Sequence, residues 1–216
     1  ARQDHHRHTL HVATLRRGHR VGMIDAIVLS AGSSRRMGEP KALCRLSDSV
    51  VIDRILSTLQ AVGTNRTNVV VGPPHGEAIA SWLEQSAPNF AHVVWNQTPI
   101  DGMLSSIQCG LRALPPTDGV LLWPVDVPLV QPQTIRTLLG QDRRRWLVPT
   151  FSDRGGHPVW LPSELFENVL KLPSTASLRD LRDRHPPLRI AVDDPDILVD
   201  LDTPEALAAA RGRLRR

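Results

Sequence analysis

The chain has 216 residues, of which 41% are hydrophobic and two are cysteines, so it can bury a sizeable core and has too few cysteines for a disulfide framework. Its formal net charge of +4 comes from the two ends, because residues 1–22 hold five arginines and residues 211–216 hold four. The residues between these ends are net acidic, so we expect no binding to nucleic acid. No apolar run approaches the roughly 20 residues that span a membrane. With only two cysteines, we expect a cytoplasmic protein that does not bind a membrane.

Residues 1–22 have no sustained apolar period, and we expect a flexible extension before a single domain of residues 23–216. Predicted strands cover residues 26–29, 68–72, 92–95, 119–123, 146–149, 159–161, 189–192 and 197–201. Predicted helices cover residues 50–62, 77–83, 103–114, 132–139, 163–170, 178–184 and 203–214. Strands that alternate with helices at this spacing predict an α/β fold with a mainly parallel sheet, whose ligands bind at the carboxyl ends of the strands.

The segment from residue 24 to residue 41, IDAIVLSAGSSRRMGEPK, joins the first predicted strand to a loop of small residues that carries cations. Small residues let the backbone approach an oxyanion, loop N–H groups donate to it, and Arg36 and Lys41 neutralise it, so the segment predicts a phosphate-binding loop. The spacing does not fit a Walker A loop, because two residues separate Gly38 from Lys41. It does not fit a dinucleotide fingerprint either, because that motif requires glycine where Ser34 lies. The alternative is an ordinary strand–helix turn with two solvated arginines.

Two acidic segments supply candidate metal ligands. Asp126 follows the predicted strand 119–123 between two prolines, which fix the backbone at the carboxyl edge of the sheet. A carboxylate beside a triphosphate is a natural Mg²⁺ ligand, and the alternative is an aspartate that caps a turn. The segment DLDTPE places Asp200 and Asp202 on one face of an extended stretch before a helix. Capping of that helix is the alternative for either aspartate.

Two further segments supply polar groups for a nucleotide and its acceptor. Ser105 and Ser106 open a predicted helix, where their hydroxyls can bond an oxyanion, a base or a ribose, and Asn96 follows a predicted strand. In the loop RGGHPV the glycines allow a ligand to approach closely, and His157 offers a contact to an acceptor. The alternatives are a helix cap for the serines and a surface hairpin turn for the loop.

Together these motifs resemble those of the molybdenum-cofactor nucleotidyltransferases, a branch of the nucleotide-sugar-like pyrophosphorylases. The matching segments are LSAGSSRRMGEPK, GMLSS, PVDVP, GHPV and DLDTPE, which follow in this order and span nearly the whole chain after Met23. The sequence departs from the family at Ser30, where alanine is usual, and at an extra Gly155. The resemblance implies a Rossmann-like three-layer fold of the nucleotide-diphospho-sugar transferase type. It also implies Mg²⁺-dependent transfer of a nucleotide from an NTP to a phosphate, with release of pyrophosphate.

The resemblance implies a role for each motif residue. The implied catalytic residues are Arg36, Lys41 and Asp126. The implied metal ligands are Asp126 and Asp202, with Asp200 as the alternative to Asp202. The implied nucleotide-binding residues are Leu29, Ser30, Ala31, Gly32, Ser33, Lys41, Asn96, Ser105 and Ser106. The implied acceptor-binding residues are Gly156, His157 and Pro158.

The identity of the nucleotide and the acceptor also follows from the resemblance. The loop sequence Ser30-Ala31-Gly32 is similar to the cytidylyl branch of the family, so the expected partners are CTP and a molybdopterin-type phosphate, with a client molybdoenzyme as a further partner. The alternatives are a guanylyltransferase, a transferase for a sugar phosphate or another phosphate, and a non-catalytic carrier of the molybdenum cofactor. The presence of Lys41 and two candidate metal carboxylates favours an enzyme over a carrier.

Overall fold

The computed structural model describes residues 23–34, 37–173 and 175–214. The extension predicted for residues 1–22 and the catalytic residue predicted at Arg36 therefore lie outside the described residues. The strands are β1 (Asp25–Leu29), β2 (Arg45–Leu46), β3 (Ser49–Val50), β4 (Arg66–Val71), β5 (Ala91–Trp95), β6 (Gly119–Pro124), β7 (Leu147–Phe151), β8 (Arg154–Gly155), β9 (Val159–Pro162) and β10 (Leu188–Ala191). The α-helices are α1 (Val51–Ala61), α2 (Gly76–Ser86), α3 (Met103–Arg112), α4 (Pro132–Leu139), α5 (Phe166–Leu170) and α6 (Pro204–Leu214).

The main sheet has the strand order β10-β7-β9-β6-β1-β4-β5, with β8 paired to β7 outside this order and β2–β3 as a separate hairpin. Strand β1 lies between β4 and β6 and runs parallel to both, so that Ile27 is opposite Asn68 and Leu122. Strand β9 is antiparallel to its neighbours β6 and β7, whereas β10 is parallel to β7. The predicted α/β fold with a mainly parallel sheet is confirmed.

Helices cover both faces of this sheet, and β1 shows how. Ala26 and Val28 belong to a buried cluster with apolar residues of α1, α2 and α4. The alternate residues Ile27 and Leu29 belong to a second cluster with residues of α3 and α5. A strand buried on both faces needs a continuous apolar sequence, which explains the run AIVL. The result is three layers, with the carboxyl ends of β1, β4, β5 and β6 at one edge.

The strand predicted for residues 197–201 is wrong. The structure has a 3₁₀ helix at Pro195–Leu198 instead. Asp194 caps this helix, because its Oδ1 accepts a hydrogen bond of 3.1 Å from the backbone N–H of Asp196. Proline in the first turn has the backbone angle that a helix start requires. The local capping signal therefore overrides the apolar run that suggested a strand.

The remaining differences concern short elements. The helix predicted for residues 178–184 is a 3₁₀ helix of four residues, Leu178–Leu181. The two-residue strands β2, β3 and β8 were not predicted, because two residues are too few to show a periodic pattern. Within the described residues, no helix combines the length and apolar character needed to cross a membrane.

Candidate active site

The loop after β1 forms one wall of a cavity at the carboxyl edge of the sheet. The backbone N–H of Ser30 donates to the carbonyl of Val70 (2.8 Å), which carries the pairing of β1 and β4 one residue past the strand. The chain then turns away from the sheet and leaves an open volume of about 270 Å³. The cavity is lined by Leu29, Ser30, Ala31, Gly32, Ser34, Lys41, Ala42, Ile79, Pro99, Gly102, Met103, Ser106, Pro124, Val125 and Asp126.

Lys41 is the charged centre of this site. Its backbone N–H donates to Ser34 Oγ (3.1 Å), which ties the end of the loop to its middle. Its side chain is only 13% exposed, and the ammonium Nζ lies 2.6 Å from Asp202 Oδ1 and 3.4 Å from Asp126 Oδ2. The structure therefore brings together a loop cation and two acidic side chains that are distant in the sequence.

Backbone hydrogen bonds fix the position of Asp126. Strand β6 ends at Pro124, and the next residue, Val125, donates its N–H to the carbonyl of Leu29 at the end of β1 (3.1 Å). The N–H of Leu201 donates to the carbonyl of Asp126 itself (2.7 Å). The loop that carries Asp126 is thus joined both to the end of β1 and to the segment that carries Asp202.

The two carboxylates fit a divalent metal of the Mg²⁺ class. Asp126 and Asp202 both bind the one ammonium group of Lys41, so their oxygens converge on a single positive charge. Within the described residues, no cluster of three or more His, Cys, Asp or Glu side chains could hold a metal. Mg²⁺ does not require such a cage, because it is commonly held by one or two carboxylates together with substrate phosphates and water.

Asp200 lies near the same charges without binding Lys41 in the structure. Desolvation by burial, reinforced by the negative charges of Asp126 and Asp202, raises the pKa of Asp200 above its usual range. Between the two aspartates of the DLDTPE segment, Asp202 is the one whose carboxylate meets that of Asp126 at a shared cation.

Asn96 organises the start of α3. Its side-chain Nδ2 donates to Ser105 Oγ (2.9 Å) and to Ser106 Oγ (3.0 Å), while its Oδ1 accepts from the backbone N–H of Thr98 (3.0 Å). Asn96 and Ser106 are both buried. Of the three predicted residues here, Ser106 lines the cavity and Asn96 holds its hydroxyl in place. The Ser105 hydroxyl instead donates to the carbonyl of Gly102 (2.8 Å) at the start of α3.

A second cavity of about 270 Å³ adjoins the first. Both cavities share Leu29, Met103 and Pro124 in their walls, and the second also contains Gly156 and His157. Burial lowers the pKa of His157, an effect that the negative charge of Asp126 partly opposes. His157 is therefore a neutral imidazole at neutral pH, with one nitrogen that donates and one that accepts.

Gly156 shows why the second cavity needs a glycine at its edge. The N–H of His157 donates to the carbonyl of Ile197 (3.0 Å). A Cβ atom on Gly156 would overlap that same carbonyl, so any larger residue would separate the two segments.

Besides Asn96 and Ser105, three further predicted site residues within the described part of the chain line neither cavity. The backbone carbonyl of Ser33 contacts His75 Nε2 (3.1 Å) instead. Pro158 is buried behind His157. Asp202 lies outside the cavity walls and reaches the site through Lys41. The predicted catalytic Arg36 lies in the part of the chain that the structure does not describe.

Comparison with known proteins identifies the family of this chain. The sequence profile of the MobA-like NTP transferase domain matches residues 26–188, which is most of the chain and includes both cavities' strands. The chain belongs to the MobA-like NTP transferase family. The match begins in β1 and ends at the first residue of β10, so it covers the other strands of the main sheet.

Individual known proteins are similar to this chain over most of its length. The molybdenum cofactor cytidylyltransferase of Escherichia coli K12 is 23% identical over 191 residues, which are 88% of this chain and 96% of that protein. The crystal structure of Rv0371c from Mycobacterium tuberculosis H37Rv has a TM-score of 0.73 and 24% identity, covering 88% of this chain and 98% of that one.

Two more solved structures have the same fold. Rv0371c in complex with manganese has a TM-score of 0.69 and 24% identity, covering 88% of this chain and 98% of that one. A nucleotidyl transferase from Methanothermobacter thermautotroptrophicus has a TM-score of 0.73 and 24% identity, covering 89% of this chain and 98% of that one. At these identities the structural likeness establishes the fold and leaves the substrates open.

Sequence reasoning missed several residues that the MobA-like fold brings into the cavity walls. In the first cavity these include Pro99 and Ala42, which carry no motif of their own. In the second they include Trp146, Arg179 and Arg182. Arginine is so frequent in this chain that neither arginine stood out.

Proposed function

We propose that this protein is a metal-dependent nucleotidyltransferase that moves CMP from CTP to the phosphate of molybdopterin or its metal-loaded form and releases pyrophosphate. The observation that carries the proposal is the convergence of Lys41, Asp126 and Asp202 beside the loop after β1. Membership of the MobA-like NTP transferase family supports the reaction class.

The proposed reaction does not require a general base. An oxygen of the acceptor phosphate attacks the α-phosphorus of CTP and forms a new P–O bond. The bond from the α-phosphorus to the oxygen bridging to the β-phosphorus breaks, and that oxygen leaves with pyrophosphate. Because the nucleophile is already an anion, no proton must be removed in the transition state. The protein's work is positioning and charge neutralisation.

Each motif residue then has a task. The N–H groups of the loop from Ala31 to Ser34 and the cations Arg36 and Lys41 would neutralise the β- and γ-phosphates and the leaving pyrophosphate. Asp126 and Asp202 would hold the metal, which supplies Lewis-acid stabilisation of charge on the α-phosphate when bound. The manganese complex of Rv0371c, which shares this fold, is consistent with a divalent metal in this role.

The choice of CTP rests on the loop and on one relative. Ser30 and the two residues after it resemble the cytidylyl branch, and the similar Escherichia coli protein is a molybdenum cofactor cytidylyltransferase.

The test is pyrophosphate release in the presence of Mg²⁺, with CTP, GTP, ATP and UTP offered separately beside molybdopterin. We expect release with CTP. Pyrophosphate release with GTP alone would retain the mechanism and show that the nucleotide is GTP instead of CTP. Nucleotide binding without pyrophosphate release from any of the four would favour another acceptor or a carrier.

Ser30 gives a separate prediction for the nucleotide site. It is 4% exposed, and its Oγ has no hydrogen-bond partner among the described residues. A buried hydroxyl without a partner costs about 1–3 kcal/mol. We therefore expect Ser30→Ala to raise the free energy of unfolding by about 1 kcal/mol without nucleotide and to weaken CTP binding roughly three- to tenfold. Denaturant unfolding and calorimetric titration measure the two effects.

The matched control for Ser30→Ala is Thr67→Val in β4. The Thr67 hydroxyl is also fully buried and also has no partner among the described residues, but it lines neither cavity. This variant should gain stability and leave CTP affinity unchanged. A Ser30→Ala protein that binds CTP as well as the wild type would show that the hydroxyl does not contact the nucleotide.

A further inference from the structure

The second cavity has an apolar floor. Leu104 and Ile107 of α3 form one side, and Leu122, Val148 and Val159 of the sheet form the other. Two polar atoms in its wall, Trp146 Nε1 and His157 Nδ1, are buried and have no hydrogen-bond partner among the described residues. An apolar cavity with a few polar atoms that can still form hydrogen bonds suits a flat organic molecule with heteroatoms at its edge.

Two arginines stand at the exposed rim of this cavity. Arg179 lies in the 3₁₀ helix Leu178–Leu181, and Arg182 follows it with helical backbone angles. In a 3₁₀ helix, side chains three residues apart lie one above the other, so the two arginines share a face. Both line the cavity.

The only acidic residue between these arginines is already used by the backbone. Asp180 Oδ2 accepts a hydrogen bond of 2.6 Å from the N–H of Ser177, which closes a capping box at the start of the helix. Their backbones are bonded to each other, since the N–H of Arg182 donates to the carbonyl of Arg179 (3.0 Å). Within the described residues, neither the Arg179 guanidinium nor the Arg182 guanidinium forms a hydrogen bond or an ion pair. Two adjacent guanidinium groups without a protein anion suit an anionic ligand, because arginine donors match the geometry of phosphate oxygens.

His157 relates the arginines to the reacting centre. The charges of both Asp126 and Arg179 act on its imidazole, with opposite signs. His157 and Arg179 line the same cavity, and Pro124 in the wall that this cavity shares with the first lies two residues before Asp126. An anion bound by Arg179 would lie in the cavity that shares a wall with the first, and we expect an acceptor phosphate to reach the α-phosphorus across that shared wall.

We propose that Arg179 and Arg182 recognise the phosphate monoester of the acceptor, while its flat, apolar body rests on the floor of the second cavity. This inference rests on the proposed function, because that function supplies the reacting centre toward which the phosphate is directed. It adds the residues that select a phosphorylated acceptor over its unphosphorylated counterpart.

The experiment uses the full chain and two fluorescent probes, a pterin that carries a phosphate monoester and the same pterin without phosphate. Binding is measured by fluorescence anisotropy with no nucleotide present. The wild type should prefer the phosphorylated probe. Arg179→Gln should weaken binding of the phosphorylated probe roughly 10- to 100-fold, as expected for the loss of a charge-assisted hydrogen bond. The same variant should change binding of the unphosphorylated probe by less than about threefold. The double variant Arg179→Gln/Arg182→Gln should abolish the preference.

The matched control is Arg184→Gln, because Arg184 is exposed and lines a different surface cavity. It should leave both probes unaffected. A wild type that binds the two probes equally, or an Arg179→Gln variant that keeps the preference, would overturn the inference. If the probes behave as expected while no nucleotide yields pyrophosphate, the arginine pair stands and the proposed transfer reaction fails.

Discussion

Replacing Lys41 by methionine is expected to lower the rate of nucleotide transfer by about 100- to 1,000-fold, which is the usual cost of removing one group that stabilises transition-state charge. Methionine keeps an apolar stem of similar length and removes the ammonium that lies 2.6 Å from Asp202 and 3.4 Å from Asp126. The loss should appear in kcat rather than in KM for CTP, because the leaving pyrophosphate gains charge as the reaction proceeds. Steady-state pyrophosphate release measures both constants.

The chain offers a natural control, since Lys171 is its only other lysine. Lys171 is 76% exposed and pairs with Glu167 on the surface of α5 (2.9 Å). Lys171→Met should have wild-type kinetics. The free energy of unfolding of Lys41→Met should differ from that of the wild type by only about 1 kcal/mol. The carboxylates of Asp126 and Asp202, which lose their partner, are partly solvated. Full activity in Lys41→Met would remove this lysine from the mechanism.

Asp126→Asn is expected to reduce turnover by about 1,000-fold at low Mg²⁺, because a metal that stabilises developing charge is worth several kcal/mol. The amide keeps the shape of the side chain and removes one of two anionic ligands. Higher Mg²⁺ should restore part of the rate, so the concentration of Mg²⁺ for half-maximal turnover should rise. Initial rates across a Mg²⁺ titration give this value.

Three further aspartates serve as comparisons for that variant. Asp202→Asn should behave like Asp126→Asn, whereas Asp200→Asn should have an effect of less than about 10-fold, since Asp200 acts only by its nearby charge. Asp142 pairs with Arg144 on the surface, and Asp142→Asn should be neutral. An Asp200→Asn variant more defective than Asp202→Asn would exchange their assigned roles. An unchanged Mg²⁺ dependence in Asp126→Asn would exclude this carboxylate as a ligand.

Patterns local in sequence predicted most of the fold. The run AIVL in β1 needed burial on both faces, and the structure buries all five residues of that strand. The failure at residues 197–201 is instructive, because Asp194 and Pro195 together are a helix-start signal that outweighs the apolar residues after them. The capping residues of that segment are adjacent in the sequence, so this signal is local as well.

The site was harder to predict than the fold because its contacts are distant along the chain. The Lys41 ammonium binds carboxylates 85 and 161 residues further on. Motif resemblance marked these residues one by one, and only the sheet topology brings them together. Arg179 and Arg182 belong to no motif, and their position beside an apolar cavity follows from the packing of the 3₁₀ helix Leu178–Leu181 against the rest of the domain. Sequence alone gave no signal for them beyond their charge.

The most direct measurement of the proposed function follows the α-phosphate itself. CTP labelled at the α-phosphorus is incubated with molybdopterin, Mg²⁺ and the full chain, and the label is located by chromatography. We predict that label appears in a molybdopterin–cytidine dinucleotide in amounts equal to the pyrophosphate released, and that Lys41→Met lowers both by about 100- to 1,000-fold. Label that stays in CTP, or that appears in CMP without entering the acceptor, would contradict nucleotide transfer to molybdopterin.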